Sequence, residues 1–471
     1  MIAGEETRRA VADAAGAPLL IRPDGTELTG HQVEAGTTAL ALALRRQGLA
    51  GQRIGLWSWN SAAAIEAHLA TEWIGATRVP VDPGAPPAEA AAVFEAAKVA
   101  GVLVDAAHAA DAPAGALVHD DDAPLGVAGT GAAGTLEPAE VPPGTTHLLY
   151  PRMAARGQFL AVPISYANWA ACMAVNIELY WGGGYGPGFG PGERFLTVQQ
   201  IMHGTGMLGT FPFLWMGLPQ IVLPRFDAAA VLDAAQRLGA TATFFVPGMV
   251  TRLADAVAQA GVDRAGALRR VIYGGAPMPA DDLVRAINVL GPVLVQVYGR
   301  FEGGWPLAVL GQDDHRALAA GDTAHAGSCG RPIAQTGLRT RPVPGQQEPW
   351  GELSVRNPMV VAGWADPDGW CGLGDLARLD GDGYLYLGPR LDGMINTGSY
   401  HVYPREVEEA IAAVAGVREA LVRGEPDPVW GQAVTAYVVG DAVTADIRRA
   451  LEGRLAKYKI PKRIELVAEL P

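Results

Sequence analysis

The chain has 471 residues, enough for two or more domains around a sizeable core, and its apolar content of 49% is ordinary for a soluble globular protein. A formal charge of −13 argues against nonspecific nucleic-acid binding, and no apolar run is long enough to cross a bilayer, so neither nucleic acid nor membrane is expected as a partner. The start, MIAGEETRRAVADAAG, is too polar for a secretory signal, and the three cysteines, Cys172, Cys329 and Cys371, lie far apart without C-x-x-C spacing; neither a disulfide frame nor a zinc site is suggested, and a reducing cytoplasm is the expected location.

Short apolar runs and amphipathic stretches alternate from the start. Leu19–Arg22 reads as a strand and Pro23–Thr26 as a turn. A helix follows from a capping Thr29 to Gln47, then a strand at Arg53–Ser58, a helix from Ser61 to Ile74 and a strand at Arg78–Pro83. This order predicts a parallel sheet with helices on both faces. Residues 105–145, rich in Ala, Gly, Pro and Asp, read as loop and short elements. A strand at Thr146–Tyr150 and a helix start at Ser165–Trp169 enclose the segment PRMAARGQFLAVPI, which reads as a loop. Its only glycine is Gly157 and its only cations are Arg152 and Arg156. The glycine-rich stretch Gly182–Gly190 is either a flap over a pocket or a surface loop.

Further along, Phe195–Val198 is a strand, His203-Gly204-Thr205-Gly206 a turn, Asp227 opens a helix running to Gly239, and Thr243–Pro247 is a buried strand followed by a helix to Val257. His203 is structural, gates a pocket or transfers a proton; the sequence leaves all three open. Leu268–Tyr273 runs into Gly274-Gly275-Ala276-Pro277, where glycine suits a backbone passing close to a flat ring. Val293–Val297 leads into Tyr298-Gly299-Arg300-Phe301-Glu302. The stretch from Trp370 to Pro404 carries the densest chemistry. Asp375, on a tight turn after Gly374, suits two vicinal hydroxyls, and Arg390 offers a fork of donors for a sugar or phosphate oxygen. Residues 393–471 read as a small β-α-β-like unit that ends in Lys457-Tyr458-Lys459-Ile460-Pro461-Lys462.

In this order the segments resemble the adenylate-forming superfamily of acyl-CoA synthetases, nonribosomal adenylation domains and luciferases. Its (T)GD, D-x-DGY-L, GR-x-D and P-x-E-(V/I)-E patterns read here as Gly374-Asp375, Asp380–Leu385, Arg390-Leu391-Asp392 and Pro404–Glu408. Its (N/Q)-x-Y-G-x-T-E pattern reads as Gln296–Glu302. The resemblance implies an α/β fold: residues 1–391 form a large domain of parallel-type sheets packed with helices, plus a distorted β-barrel. Residues 392–471 form a small α+β lid with Asp392 as the hinge. It implies an AMP-dependent synthetase or ligase that joins a carboxylic acid to CoA, a carrier-protein thiol or an amine through an acyl-adenylate. Asp375 and Arg390 would hold the ribose, Gly274, Gly275, Ala276 and Pro277 would lie along the purine, Gln296 would sit beside the adenine, and Tyr298, followed by Gly299, would stack on it. Glu302 would hold Mg²⁺, and His203 would border the acyl pocket.

The departures fall on the phosphate side. The family's glycine-rich P-K-G loop is replaced by the segment holding Arg152 and Arg156, the threonine that touches the α-phosphate is Phe301, and the threonine of TGD is Leu373. The family's swinging lysine lies about ten to twelve residues past the Lys457–Ile464 match, a position the given sequence, which stops at Pro471, does not reach. Two enzyme readings remain. In one, ATP is used and Arg152 or Arg156 replaces the lysine. In the other, the chain is an ATP-independent descendant that takes an acyl-adenylate or a thioester such as acyl-CoA for transfer, hydrolysis or cyclisation. A third reading is a catalytically silent binder of nucleotide or protein.

Overall fold

The strands Arg53–Trp57, Thr77–Pro80 and Gly101–Val104 are buried almost throughout and carry no solvent-facing alternation, the pattern of parallel strands covered on both faces. A computed structural model describes residues 3–122, 136–137, 139–153, 159–262, 265–344, 346, 349–391, 393–398 and 400–471. In it these strands form a six-stranded sheet in the order Leu117–Val118, Gly101–Val104, Arg53–Trp57, Thr77–Pro80, Thr146–Met153, Phe159–Ser165, parallel except for the last. The helices Gly30–Arg46 and Ala62–Trp73 open where expected, on the caps Thr29 and Ser61.

Three expectations change. The first strand, Pro18–Ile21, leaves this sheet and pairs parallel with Gln220–Val222. The segment read as a loop supplies the arms of a hairpin, with Leu148 opposite Ile164 and Tyr150 opposite Val162. Its alternating Val162 and Ile164 bury against the core, which stabilises an extended arm over a loop. His203-Gly204-Thr205-Gly206 is not a free turn, since helix Gly204–Trp215 begins there with His203 at its N-cap. The glycine-rich stretch is anchored by Phe189, which packs against Tyr180, Trp181 and Phe213.

A second sheet of nine strands has at its centre Leu294–Arg300, Arg270–Gly274, Ala242–Phe245, Phe195–Thr197 and Gln220–Val222, all parallel. A third, antiparallel sheet of Gly337–Pro342, Gly351–Arg356, Cys371–Leu379 and Leu385–Arg390 sets Asp375 directly across from Arg390, beside a register shift. The last sheet lies within residues 395–466. Its core of Ile395, Val407, Ile411, Val434, Ile447 and Leu451 is separate from the others. This C-terminal unit is clasped to the rest by Lys459, whose Nζ lies 2.6 Å from Glu89 and 2.8 Å from Glu406, and by the Ala456 N–H donating to Glu89 at 2.7 Å. Among the described residues no helix is long and apolar enough to cross a membrane. All three cysteines are buried and free.

Candidate active site

Parallel sheets gather ligands at the carboxyl ends of their strands. In the nine-stranded sheet those ends carry Gly275, Tyr298, Val246 and, after Phe195–Thr197, His203. Two adjoining cavities of about 390 and 200 Å³ open there, and Gly275, Tyr298, Gly299, Arg300 and His401 line both. They form one cleft with two ends.

The larger end holds most of the residues expected around a nucleoside. Gly275, Ala276, Pro277, Gln296, Tyr298, Asp375 and Arg390 all line it. Gly274 does not, but a Cβ there would come within 2.4 Å of the Val297 carbonyl oxygen, so glycine is required for the strands to close. Gly275 follows at φ +84°, a left-handed conformation that turns the chain along the cavity wall. Asp375 is the hub. Its Oδ1 accepts from Arg390 at 2.8 Å and its Oδ2 from the Tyr298 hydroxyl at 2.6 Å. A carboxylate has about four lone-pair sites, so each oxygen keeps capacity for a further hydroxyl. Burial, reinforced by the Asp375 charge, pushes the Tyr298 phenol far above its ordinary value, so it stays a donor. Gln296 is held by Tyr273, whose hydroxyl donates to its Oε1 at 3.1 Å. Cys329 lines the same cavity, but burial raises its thiol to about 12, which makes it a packing group.

The smaller end has aromatic walls, Tyr150, Phe244, Phe301 and Trp305 among them. The ring that stands in place of threonine, Phe301, stacks on Tyr150 with centroids 3.8 Å apart and edges Trp305 at 4.9 Å. His203 meets the Asp82 carboxylate at 2.6 Å through Nε2 and the Tyr150 hydroxyl at 3.0 Å through Nδ1, with Tyr400 packed edge-on at 4.8 Å. Leu373, in place of the other threonine, is buried in the main core.

Glu302 is buried and lies 3.6 Å from the Arg300 guanidinium. Among the described residues no three His, Cys, Asp or Glu groups gather as a metal cage. Glu302 is not among the residues lining either cavity, so this single carboxylate could serve only a Mg²⁺ that arrives on nucleotide phosphates, which supply most of its oxygens. It does not fit a resident ion. Arg152 lies in the strand Thr146–Met153, whereas Arg156 and Asp392 lie outside the described residues.

Sequence reasoning overlooked Asp82, Tyr150 and Arg300. Asp82 sits in the Val-Pro-Val-Asp-Pro stretch, and its partner is 121 residues away, so only the fold joins them. Arg300, facing both cavities, occupies a variable position of its motif. Tyr400 and Lys459, in the C-terminal unit, reach the same cleft.

The family model for AMP-binding enzymes matches residues 7–144 and 161–365, and that for the AMP-binding enzyme C-terminal domain matches residues 406–471. A feruloyl-CoA synthase of Amycolatopsis is 31% identical over 96% of this chain and 92% of that protein. A medium/long-chain-fatty-acid–CoA ligase of Mycobacterium tuberculosis is 35% identical over 59% of this chain; the match spans 51% of that protein. An amide bond synthetase from Marinactinospora thermotolerans superposes with a TM-score of 0.85 at 29% identity, covering 99% of this chain and 96% of that one.

Proposed function

Because the chain belongs to the AMP-binding enzyme family and is an enzyme of the AMP-dependent synthetase and ligase type, joining a carboxylic acid to a thiol or amine by way of an acyl-adenylate, we propose that its acid is a single-ring aromatic one activated with MgATP. The observation that carries this reading is the two-ended cleft: a carboxylate hub at one end, an aromatic-walled cavity at the other, and Arg300 between them. An apolar cavity of about 150 Å³ holds a benzene, so the 200 Å³ of the smaller end suits one substituted ring. The feruloyl-CoA synthase relative points to the same class of acid.

In this reading Asp375 takes the two ribose hydroxyls and Arg390 holds the carboxylate in place. The chain from Gly274 through Pro277 runs along the purine, and Gln296 and Tyr298, followed by Gly299, complete the base pocket. When bound, Mg²⁺ would neutralise charge on the phosphates, with Glu302 as its protein ligand. Arg300 lies where a developing phosphate charge needs a cation, and Arg152 and Arg156 are further candidates. Residues 1–391 act as the binding domain and 392–471 as the lid, hinged at Asp392. CoA, a carrier-protein thiol or an amine is the acceptor.

Phe301 favours a second reading, in which no triphosphate enters and a preformed acyl-adenylate or thioester is taken up, because a phenyl ring cannot donate the hydrogen bond that a threonine hydroxyl gives to phosphate. Calorimetric titration with AMP and, separately, with MgATP separates the two. Binding of both supports activation by ATP; binding of AMP alone excludes it and leaves the second reading.

A further inference from the structure

We propose that Tyr150, His203 and Asp82 form a proton relay serving an amine acceptor, with Tyr150 as the catalytic residue that touches the acceptor and His203 and Asp82 as positioning residues behind it. The proposal rests on the acyl-adenylate reading above.

Two sheets and the C-terminal unit build the relay. Asp82 follows the strand Thr77–Pro80, where its Oδ1 accepts from the Gly84 N–H at 2.6 Å and its Oδ2 faces His203 Nε2 at 2.6 Å. Nε2 therefore carries a proton, and Nδ1, 3.0 Å from Tyr150 Oη, is left to accept the phenol proton. The Tyr150 ring lies nearly flat on Phe301, at 21° between planes, which fixes where its hydroxyl points. Phe301, which removes a phosphate contact, thus gains a role in holding the relay. Burial alone would raise the Asp82 carboxyl, but the hydrogen bond and charge of His203 outweigh it and hold it below its ordinary value. The carboxylate is then already an anion when the imidazole becomes charged. An ion pair that served only packing would have no need of a cavity wall, yet all three residues line the smaller cavity beside Gly299 and Arg300.

The atoms balance as follows. The amine lone pair forms a C–N bond at the acyl carbon, and the C–O bond to the phosphate breaks with its electron pair leaving on AMP. The surplus N–H proton passes to Tyr150 Oη while the phenol proton passes to His203 Nδ1. The products are an amide, AMP and an imidazolium paired with Asp82, which returns its proton to water. An amine cannot shed its N–H proton before it attacks, so it depends on such a relay. A thiol ionises by itself at about pH 8.5 and has far less need of one.

The test bypasses ATP. Preformed cinnamoyl-adenylate is given to the full chain with benzylamine, hydroxylamine or N-acetylcysteamine, and product is followed by mass spectrometry. The native chain should accelerate transfer to benzylamine most. Tyr150→Phe and Asp82→Asn should each lower kcat for benzylamine by about 100-fold or more, within the range of general acid–base catalysis. Hydroxylamine sheds the same N–H proton and should lose comparably, the loss for N-acetylcysteamine, which ionises by itself, should be much smaller, and Asp82→Glu should recover part of the rate. Melting curves establish that each variant is folded. A loss for N-acetylcysteamine equal to that for the nitrogen nucleophiles, an undiminished Asp82→Asn, no acceleration by the native chain or a preference for N-acetylcysteamine would overturn the relay. Failure to make the adenylate from ATP, with these losses intact, would overturn only the ATP-dependent reading.

Discussion

Replacing Asp375 by alanine should abolish AMP binding in the micromolar range. The carboxylate is 7% exposed and already fixed by Arg390 at 2.8 Å and Tyr298 at 2.6 Å, so it meets a ribose without reorganising. Two hydroxyls donating to its remaining lone pairs would form two hydrogen bonds to a charged acceptor, about 1.5–3 kcal/mol each. Their joint loss, about 3–6 kcal/mol, is roughly 10²–10⁴ in Kd at about 1.4 kcal/mol per tenfold. The same substitution removes a carboxylate from the half-buried Arg390 guanidinium, which costs stability as well, less than the about 3–5 kcal/mol of a fully buried pair. Asp375→Asn is therefore the companion variant: it keeps the volume and one acceptor oxygen, and should lose less of both quantities. The assay is calorimetric titration with AMP, run on variants whose melting curves show a folded chain. An Asp375→Ala protein that binds AMP within about threefold of the native chain would refute the ribose assignment.

Three other outcomes follow from the geometry. Glu302→Gln should weaken MgATP at least about tenfold by calorimetry while AMP without metal binds as before, because the carboxylate serves only a phosphate-borne ion; equal weakening of both ligands would remove Glu302 from that role. Lys459→Met leaves Glu89 and Glu406 facing each other without their shared cation, so the melting temperature should fall by an amount equivalent to about 3–5 kcal/mol, partly restored by adding Glu89→Gln; an unchanged melting temperature would show that the clasp carries no stability. For Asp82 the folded pKa is lowered from 3.8, so its contribution is fully present above that value and is lost as pH falls through the lower, folded value. The stability difference between native chain and Asp82→Asn should shrink as the pH falls below 3.8 in pH-dependent urea melts; a difference that persisted unchanged on further acidification would contradict the lowered carboxyl.

What the sequence made legible was local. Thr29 as a helix cap and the choice of Asp375 and Arg390 each follow from one short stretch, but Gly374-Asp375, expected on a tight turn, lies inside the strand Cys371–Leu379, where pairing sets Asp375 across from Arg390. The purine-side turn was readable because Gly274 and Gly275 answer to a close approach and a positive φ. The segment Pro151–Ile164 misled because its alternation of Leu160, Val162 and Ile164 was read through a family pattern that places a loop there. Pro18–Ile21 misled for another reason: a buried apolar strand carries no mark of which sheet it will join. The Asp82–His203–Tyr150 arrangement was invisible, since its members come from positions 82, 150 and 203 and only the meeting of two sheets brings them within hydrogen-bonding distance. Lys459 was noticed only as part of a terminal motif; that it bridges Glu89 and Glu406 depends on how the C-terminal unit docks.

The most direct test of the central claim is to incubate the full chain with MgATP, hydroxylamine and a panel of single-ring aromatic acids, cinnamic and benzoic acids among them, and to assay AMP and acyl-hydroxamate together by mass spectrometry. The account predicts AMP and the hydroxamate of at least one acid in equal amounts, both abolished by Asp375→Ala. AMP-free reaction mixtures with every acid, from a chain that binds AMP, would contradict activation by ATP.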